Sequence, residues 1–143
     1  MPHDQVPARA TIEERIASFD SSEFAQLLDM KVLEVREGYA RVMMPSSQKK
    51  NPNGVIHGGA IFSLADHAFA IAANTGRTDR VAVSIHIQFI APAHRDLIAL
   101  AEIVGERGRY ATYRIMVYEK DRAVAQCDGV AIRTDHQAPE RFL

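Results

Sequence analysis

Residues 58–74 read GGAIFSLADHAFAIAAN, and this stretch decides the fold. Its length and its content of Ala, Leu and Phe favour a helix over a strand. Only Asp66 and His67 can carry charge there, so such a helix is apolar around most of its circumference. A helix of that kind has to be covered on several sides by other structure. We therefore expect one long helix at the centre of the molecule.

The residues before this helix show first helical and then β-prone patterns. Apolar residues in 11–30 recur at helical intervals and are interrupted by a capping signal at 20–22. This pattern predicts one broken helix or two short ones. Two short β-prone runs in 32–43 meet at Glu37 and Gly38, which predicts a tight hairpin.

A loop precedes the central helix, and strands follow it. The run Asn51-Pro52-Asn53-Gly54 is dense in turn formers, so the helix has to begin after it. Beyond the helix apolar residues alternate with period two, and the residues at 81, 83, 85, 87 and 89 are expected on one face of a strand. Further strands are predicted at 97–104, 110–118 and 123–132.

Together these elements predict one α+β domain, in which sequential antiparallel strands form a curled sheet around the helix. A chain of 143 residues with 47% apolar and 24% charged residues is long enough to bury a core of its own. We assign residues 1–30 to an N-terminal helical segment, residues 31–133 to the main domain and residues 134–143 to a loosely ordered tail.

Composition argues against several classes of protein. Lys and Arg total 17 against 18 Asp and Glu, so no basic field exists for nucleic acid. Cys127 is the only cysteine, and the first ten residues do not resemble a secretion signal, which favours a cytoplasmic protein. The stretch 58–75 is rejected as a membrane span because Asp66 and His67 lie in its middle. No His or Cys pair has metal-ligand spacing, so no metal is expected.

Four short motifs occur in an order and spacing that resemble a known family. They are Asn51, His57-Gly58-Gly59, Ser63-Leu64-Ala65-Asp66 and Phe89-Ile90-Ala91-Pro92. Over roughly residues 28–133 the chain is similar to the phenylacetate-degradation type of hot-dog-fold acyl-CoA thioesterase. The resemblance implies the hot-dog fold and hydrolysis of aryl-acetyl-CoA thioesters to free acid and coenzyme A. Medium-chain acyl groups stay open, and no cofactor is implied beyond the coenzyme A of the substrate.

Carried over position by position, the resemblance implies roles for five residues. Asp66 becomes the general base or the nucleophile, the Gly58 amide becomes the donor to the thioester oxygen, and Asn51 orients the attacking water. His57 and Gly59 shape the turn, with His57 expected as hydrogen-bonding support rather than as a proton carrier. Asn51 serves equally well as a turn former, so both interpretations stay open.

Further residues are expected around the substrate. In some relatives a Ser or Thr near the start of the strand after the helix assists the attack. This chain has Ala82 at that position. Ser84 is expected on the same strand face and is the candidate to replace it. His67 is expected to line the pocket or an interface. Phosphates of coenzyme A are expected near basic side chains. The candidates are Lys49, Lys50, Arg77, Arg80, Arg107 and Arg109.

The residues themselves support this chemistry. Thioester hydrolysis needs a base or nucleophile, a water and hydrogen-bond donors aimed at the carbonyl oxygen. Gly58 and Gly59 lie at the predicted helix start, where the first amides lack intrahelical acceptors and the helix dipole favours an oxyanion. Asp66 is the only carboxylate of the apolar helix, and burial is expected to raise its pKa.

The spacing of Gly58 and Asp66 predicts a shared site. The two residues are eight positions apart, which is about 12 Å along one helix. Both groups have to approach within about 3.5 Å of one reacting thioester. We therefore expect Gly58 of one subunit to act with Asp66 of another in an obligate homodimer. The family resemblance agrees with a dimer, and it also allows a homotetramer.

Two alternatives are open at this point. A hot-dog hydratase or dehydratase acts on acyl thioesters with a His and a carboxylate, but the motif around its histidine differs from the one at His57. A non-catalytic acyl-CoA-binding domain that regulates transcription carries an additional DNA-binding domain. Only about 30 residues precede the first predicted strand here, which is too few for one.

Overall fold

The computed structural model describes residues 10–76 and 78–134, and its first elements are two short helices. Helix α1, Ile12–Ser21, begins with a capping box, in which Thr11 and Glu14 exchange side-chain and backbone hydrogen bonds. Ser22 ends α1 and precedes α2, Glu23–Leu27. The predicted break is therefore confirmed. Parts of the predicted N-terminal segment and of the predicted tail lie outside the described residues.

The expected hairpin follows directly. Strand β1, Lys31–Arg36, pairs antiparallel with β2, Tyr39–Met44. The turn between them requires a glycine, because Gly38 has a φ of 71° and a Cβ there would lie 2.6 Å from Cγ2 of Ile103. The pairing register of β1 shifts between Val32 and Glu34, which marks a β-bulge.

Helix α3, Gly58–Ala73, is the long central helix that the sequence predicts. It contacts every strand of the sheet, and half of its residues are buried in the core. Asn74 fixes its end: the side chain donates to the carbonyls of Ala70 and Arg80, at 2.8 and 3.1 Å, and accepts from the Arg80 amide at 2.9 Å. This attachment sets where the following strand begins.

Four long strands complete the sheet. They are β3, Arg80–Phe89; β4, Leu97–Arg107; β5, Tyr110–Glu119; and β6, Arg122–Arg133. All pairs are antiparallel, in the order β1-β2-β4-β5-β6-β3. The prediction of an α+β fold with a curled antiparallel sheet around one helix is confirmed.

The position of β3 corrects the expected succession of neighbouring strands. Only β4, β5 and β6 form a meander, whereas β3 lies at the far edge of the sheet and pairs with β6. The reason lies in the connection between β3 and β4. The Ala93 carbonyl in this connection accepts from the Ile56 amide at 2.7 Å, just before α3 begins. The chain thus passes the start of the helix, and β4 pairs with β2.

A β-bulge in β3 changes which side chains face the helix. Ala82 pairs with Ala131 and Ser84 pairs with Val130, so Val83 has no partner on β6. Ala131 belongs to the buried face of β6, and Val130 belongs to the opposite face. One extra residue reverses the alternation of all residues that follow it.

The bulge makes two predictions about β3 wrong. Ala82 and Ser84 do not share a face, because one lies on each side of the sheet. The apolar residues from 81 to 89 do not form one face either. Val81 pairs with Ile132 on the outer face, whereas residues 85, 87 and 89 pair with buried residues of β6.

Gly129 allows the sheet to approach the helix closely, and this predicts an effect on stability. A Cβ at Gly129 would lie 2.8 Å from the ring of Phe69, which also packs against Tyr113. We expect Gly129→Ala to lower the free energy of unfolding by about 1–3 kcal/mol through overpacking. Gly105→Ala is the matched control, because its Cβ would meet only Thr112 at 3.6 Å. Urea unfolding checks this, and equal effects of the two variants would contradict it.

Candidate active site

The loop before α3 is shaped by Asn51. Its side-chain oxygen accepts from the amides of Asn53, at 2.9 Å, and Val55, at 3.4 Å. The Asn51 amide also donates to the Val55 carbonyl at 2.7 Å. The turn-forming role of Asn51 is therefore present. Its side-chain NH₂ has no acceptor among residues 10–76 and 78–134, so a water or substrate can still use it as a donor.

His57 is the N-cap of α3. Its Nδ1 accepts from the Gly59 amide at 2.8 Å, and its own amide donates to the Lys49 carbonyl at 2.7 Å. A neutral His57 therefore carries its ring proton on Nε2. A Cβ at Gly59 would lie 2.9 Å from Nδ1, so this cap requires glycine there. The expected supporting role of His57 at the helix entry agrees with this geometry.

Only one of the two glycine amides at the helix start is available. The Gly59 amide is used by His57, and the amides of Ala60 and Ile61 donate to the His57 carbonyl at 2.9 and 3.2 Å. Gly58 is the first helical residue and has no intrahelical acceptor. Its amide makes no hydrogen bond within the described part of the chain. Of the two glycines at the helix start, only Gly58 therefore has an amide that is open to a ligand, and its role as a donor stays a prediction.

Asp66 lies two turns further along α3 and is half-buried. Burial raises the pKa of Asp66 above its ordinary value. The buried thiol of Cys127 lies in its electrostatic range: burial, and then the charges of Asp128 and Asp66, raise the pKa of Cys127 to about 12. No ion pair or hydrogen bond reaches the Asp66 carboxylate from the residues that the structure describes. Within the described part of one chain, no cation or hydrogen-bond donor therefore compensates the charge of the Asp66 carboxylate.

The structure separates Gly58 and Asp66 as expected. Both lie on the unbroken helix Gly58–Ala73, so about 12 Å of helix axis lies between them. Within one chain the amide and the carboxylate cannot reach the same carbonyl group.

His67 lies next to Asp66 in sequence but points towards α1. Its ring packs edge-on against Phe19, with 6.3 Å between the ring centroids. Burial lowers the pKa of His67, and the charge of Asp20 opposes this shift. Its Nε2 is buried without a partner among the described residues. The contact with α1 is not visible in the helix sequence itself, and a substrate contact of His67 stays a prediction.

Ser84 is not brought towards Asp66. The bulge at Val83 places Ser84 on the outer face of the sheet, where it is exposed, whereas α3 covers the inner face. Within one chain the sheet therefore separates Ser84 from the carboxylate.

Two of the six basic candidates have buried side chains that are already engaged. The Lys49 side chain is 3% exposed and donates to the Ser47 carbonyl at 2.9 Å. The Arg80 side chain is 9% exposed; it donates to Tyr113 Oη at 3.1 Å and pairs with Glu106 at 2.5 Å. Their internal partners make both poor candidates for binding phosphate.

The other basic candidates are distributed over the surface. Lys50 and Arg107 are exposed, and exposed Arg109 donates to the Arg133 carbonyl at 3.1 Å. Arg77 lies outside the described residues. Phosphate binding by these side chains stays a prediction.

Two cavities flank the start of α3, and the sequence does not reveal either of them. The apolar cavity has a volume of about 330 Å³ and is lined by Ile56, Gly58, Ile61 and residues 89–93. The lysine cavity has a volume of about 360 Å³ and is lined on the other side by Phe24, Leu28, residues 48–50, His57, Gly59, Ala60 and Ser63. The motif Phe89-Ile90-Ala91-Pro92 thus forms a wall beside Gly58, which its sequence position alone did not indicate.

Two properties of the described residues bear on a membrane span and on a metal site. None of the helices in residues 10–76 and 78–134 is long and apolar enough to span a bilayer. No group of three or more His, Cys, Asp or Glu side chains in the same residues is placed to hold a metal ion. The absence of a metal and the cytoplasmic location stay predictions.

Known proteins resemble this chain in sequence and in structure. The sequence model of the thioesterase superfamily matches residues 53–126. The acyl-coenzyme A thioesterase PaaI of Escherichia coli is 32% identical over 121 residues, which cover 82% of this chain and 86% of that protein. The solved structure of E. coli PaaI, from the phenylacetic acid degradation operon, superimposes with a TM-score of 0.80 at 29% identity and covers 86% of this chain and 92% of its own.

A second solved structure gives a similar result. It is a variant of the phenylacetic acid degradation protein PaaI from Thermus thermophilus, with a TM-score of 0.75 and 34% identity over 79% of this chain and 100% of its own. The hot-dog fold that the four motifs imply is thereby confirmed.

Because the Asp66 carboxylate has no partner in the described chain, we expect it to make the fold less stable as pH rises. Because burial raises the pKa of Asp66, the folded state binds this proton more tightly than the unfolded state does. Stability is therefore lost as pH rises through the raised pKa. We expect Asp66→Asn to unfold at higher urea concentration than the wild type near pH 7. The difference should fade below about pH 4, where Asp66 is protonated in both states. A less stable Asn variant near pH 7 would indicate a structural ion pair instead.

Proposed function

Because the chain belongs to the thioesterase superfamily as a PaaI-like acyl-CoA thioesterase, we propose that it hydrolyses aryl-acetyl or medium-chain acyl-CoA thioesters. The products are the free acid and coenzyme A. Family membership identifies a thioester hydrolase, which argues against the hydratase and the non-catalytic alternatives. The aryl-acetyl class rests on the likeness to the proteins from phenylacetic acid degradation.

The observation that carries the mechanism is the pair of unsatisfied groups on α3. The Gly58 amide is a free donor at the positive end of the helix, and Asp66 is a partly buried carboxylate without a partner in the described chain. A donor of this kind stabilises negative charge on the thioester oxygen as it develops. A carboxylate with a raised pKa is a stronger base than an exposed one.

In the proposed reaction an oxygen nucleophile adds to the thioester carbon. Asp66 either removes a proton from a water that adds to this carbon, or attacks the carbon directly to form an acyl-enzyme anhydride that water then hydrolyses. In both cases the C–S bond breaks, and coenzyme A leaves as a thiolate that takes up the proton released from the water. The free NH₂ of Asn51 orients the water, and His57 holds the helix start in place through its bond to Gly59. Trapping of an acyl-enzyme distinguishes direct attack by Asp66 from general-base catalysis.

The reacting groups come from two subunits in this proposal. The 12 Å between Gly58 and Asp66, about eight residues of helix, requires an Asp66 from a second chain at each Gly58. Strand β3 is an edge of the sheet and offers unpaired backbone groups to another strand. A two-fold axis at this edge gives two equivalent sites per homodimer, and a homotetramer repeats this dimer.

The first test removes each reacting group without disturbing the fold. Asp66→Asn should lower kcat by roughly 10²-fold or more. Gly58→Pro removes the amide N–H at the first helical position, where proline is tolerated, and His57 already has the extended ψ of 134° that a following proline requires. We expect a loss of about 10²–10³-fold in thiol release.

Gly58→Ala is the matched control for the amide. It introduces the same Cβ beside the Phe89 ring but retains the N–H, so its activity should stay well above that of Gly58→Pro. Equal losses in the two variants would show that the Cβ contact, and not the hydrogen bond, matters. Thiol release from aryl-acetyl and medium-chain acyl-CoA is the measurement, and an unchanged Asp66→Asn variant would contradict the assigned base.

A second test asks whether the site is shared. Gly58→Pro and Asp66→Asn chains are unfolded together and refolded as a mixture. Random pairing makes half of the dimers mixed, and each mixed dimer contains one site with both groups intact, so roughly a quarter of wild-type activity should return. If both groups acted within one chain, the mixture would be as inactive as the separate variants.

A further inference from the structure

The two cavities beside α3 differ in polarity. Every residue that lines the apolar cavity is apolar or a glycine, and none carries a charge. The lysine cavity contains Lys49, Lys50, His57 and Ser63. Both cavities begin at the start of α3. A thioester bound there therefore has apolar residues on one side and polar or charged side chains on the other.

The available hydrogen-bond donor lies on the apolar side. Gly58, whose amide is free, lines the apolar cavity. Gly59 lines the lysine cavity, but its amide already donates to His57. A carbonyl oxygen that binds at the helix start therefore accepts a hydrogen bond from Gly58, next to the apolar wall.

The ring of Phe89 lies against Gly58, the residue that carries this donor. A Cβ at Gly58 would lie 3.2 and 3.3 Å from two of its ring carbons. In the single chain Phe89 is nevertheless 56% exposed, and the neighbouring Ile90 is 54% exposed. Large apolar side chains that stay accessible beside a reactive group are suited to contact an apolar ligand.

We propose that the apolar cavity receives the acyl group of the thioester and that the ring of Phe89 limits the size of the acyl group that can reach the Gly58 amide. The inference rests on the proposed function and adds a specificity-determining residue to it. The cavity of about 330 Å³ is large enough for an aryl-acetyl or medium-chain group and lies within the usual range for small-molecule pockets.

The lysine cavity is unsuited to the acyl group. Lys50 is exposed there, and an apolar chain that covered its ammonium group would remove its water without providing a hydrogen-bond partner. In the apolar cavity the same chain displaces water only from apolar surface, which is favourable.

The test compares two phenylalanines of similar exposure on opposite sides of the helix start. Phe89 lines the apolar cavity, and Phe24, which is 53% exposed, lines the lysine cavity. The measured quantity is kcat/KM for phenylacetyl-CoA and octanoyl-CoA divided by kcat/KM for acetyl-CoA. We expect Phe89→Ala to raise this ratio about tenfold or more, and Phe24→Ala to leave it unchanged.

A filling variant tests the opposite direction. Ile90→Phe adds volume to the same apolar cavity and should lower the ratio. Because Phe89, Phe24 and Ile90 are all about half exposed, their replacement does not empty the core. Thermal unfolding and gel filtration of each full-length variant check the fold and the assembly.

The outcomes separate the inference from the function. A wild type that releases no thiol from any of the three substrates contradicts the proposed function and the inference together. A wild type that is active, with a ratio that Phe89→Ala and Ile90→Phe leave unchanged, contradicts the inference alone. A ratio that Phe24→Ala shifts as strongly as Phe89→Ala also overturns it, because the acyl group would then not be confined to the apolar side.

Discussion

The burial of α3 against all six strands is the constraint on which the rest of the structure depends. The sheet can curl around this helix only where small residues allow a close approach, as Gly129 does beneath the ring of Phe69. Hydrogen bonds fix the ends of the helix. His57 closes its start and Asn74 joins its end to β3, so the free Gly58 amide and the Asp66 carboxylate are held on one rigid element.

In this arrangement the burial of Asp66 lowers the stability of the fold and makes the carboxylate a stronger base. An apolar helix would be more stable without a carboxylate, because ionised Asp66 loses water and gains no partner within the described chain. The same loss of water makes it a stronger base. Nearby Cys127 does not compensate this charge, because a thiol carries no positive charge; burial raises its pKa to about 12 and keeps it neutral. In the proposed reaction the Gly58 amide finds its partner in the bound thioester, and Asp66 finds its partner in the attacking water or in the thioester carbon.

Local sequence signals predicted most of the fold. They did not predict features that depend on contacts between residues far apart in sequence. The hairpin at Gly38 and the bounds of α3 depend on residues close in sequence, and both are confirmed. The place of β3 beside β6 depends on a connection that passes the helix start, and the bulge at Val83 depends on the pairing with β6. No pattern within β3 reveals either, so the face of Ser84 was predicted wrongly. The residues of the candidate site stay predictions, and the hydrogen bond by which His57 occupies the Gly59 amide could not be read from their order in the sequence.

The bulges have a consequence for self-association. Both edge strands carry one, β1 between Val32 and Glu34 and β3 between Ala82 and Ser84. An exposed edge with a regular row of donors and acceptors invites the addition of further strands, and a bulge interrupts that row. On β3 the longest regular stretch is residues 84–89, which suffices for one short partner strand. The proposed dimer can therefore use this short stretch of β3, while the bulges on both edge strands disfavour the addition of further strands.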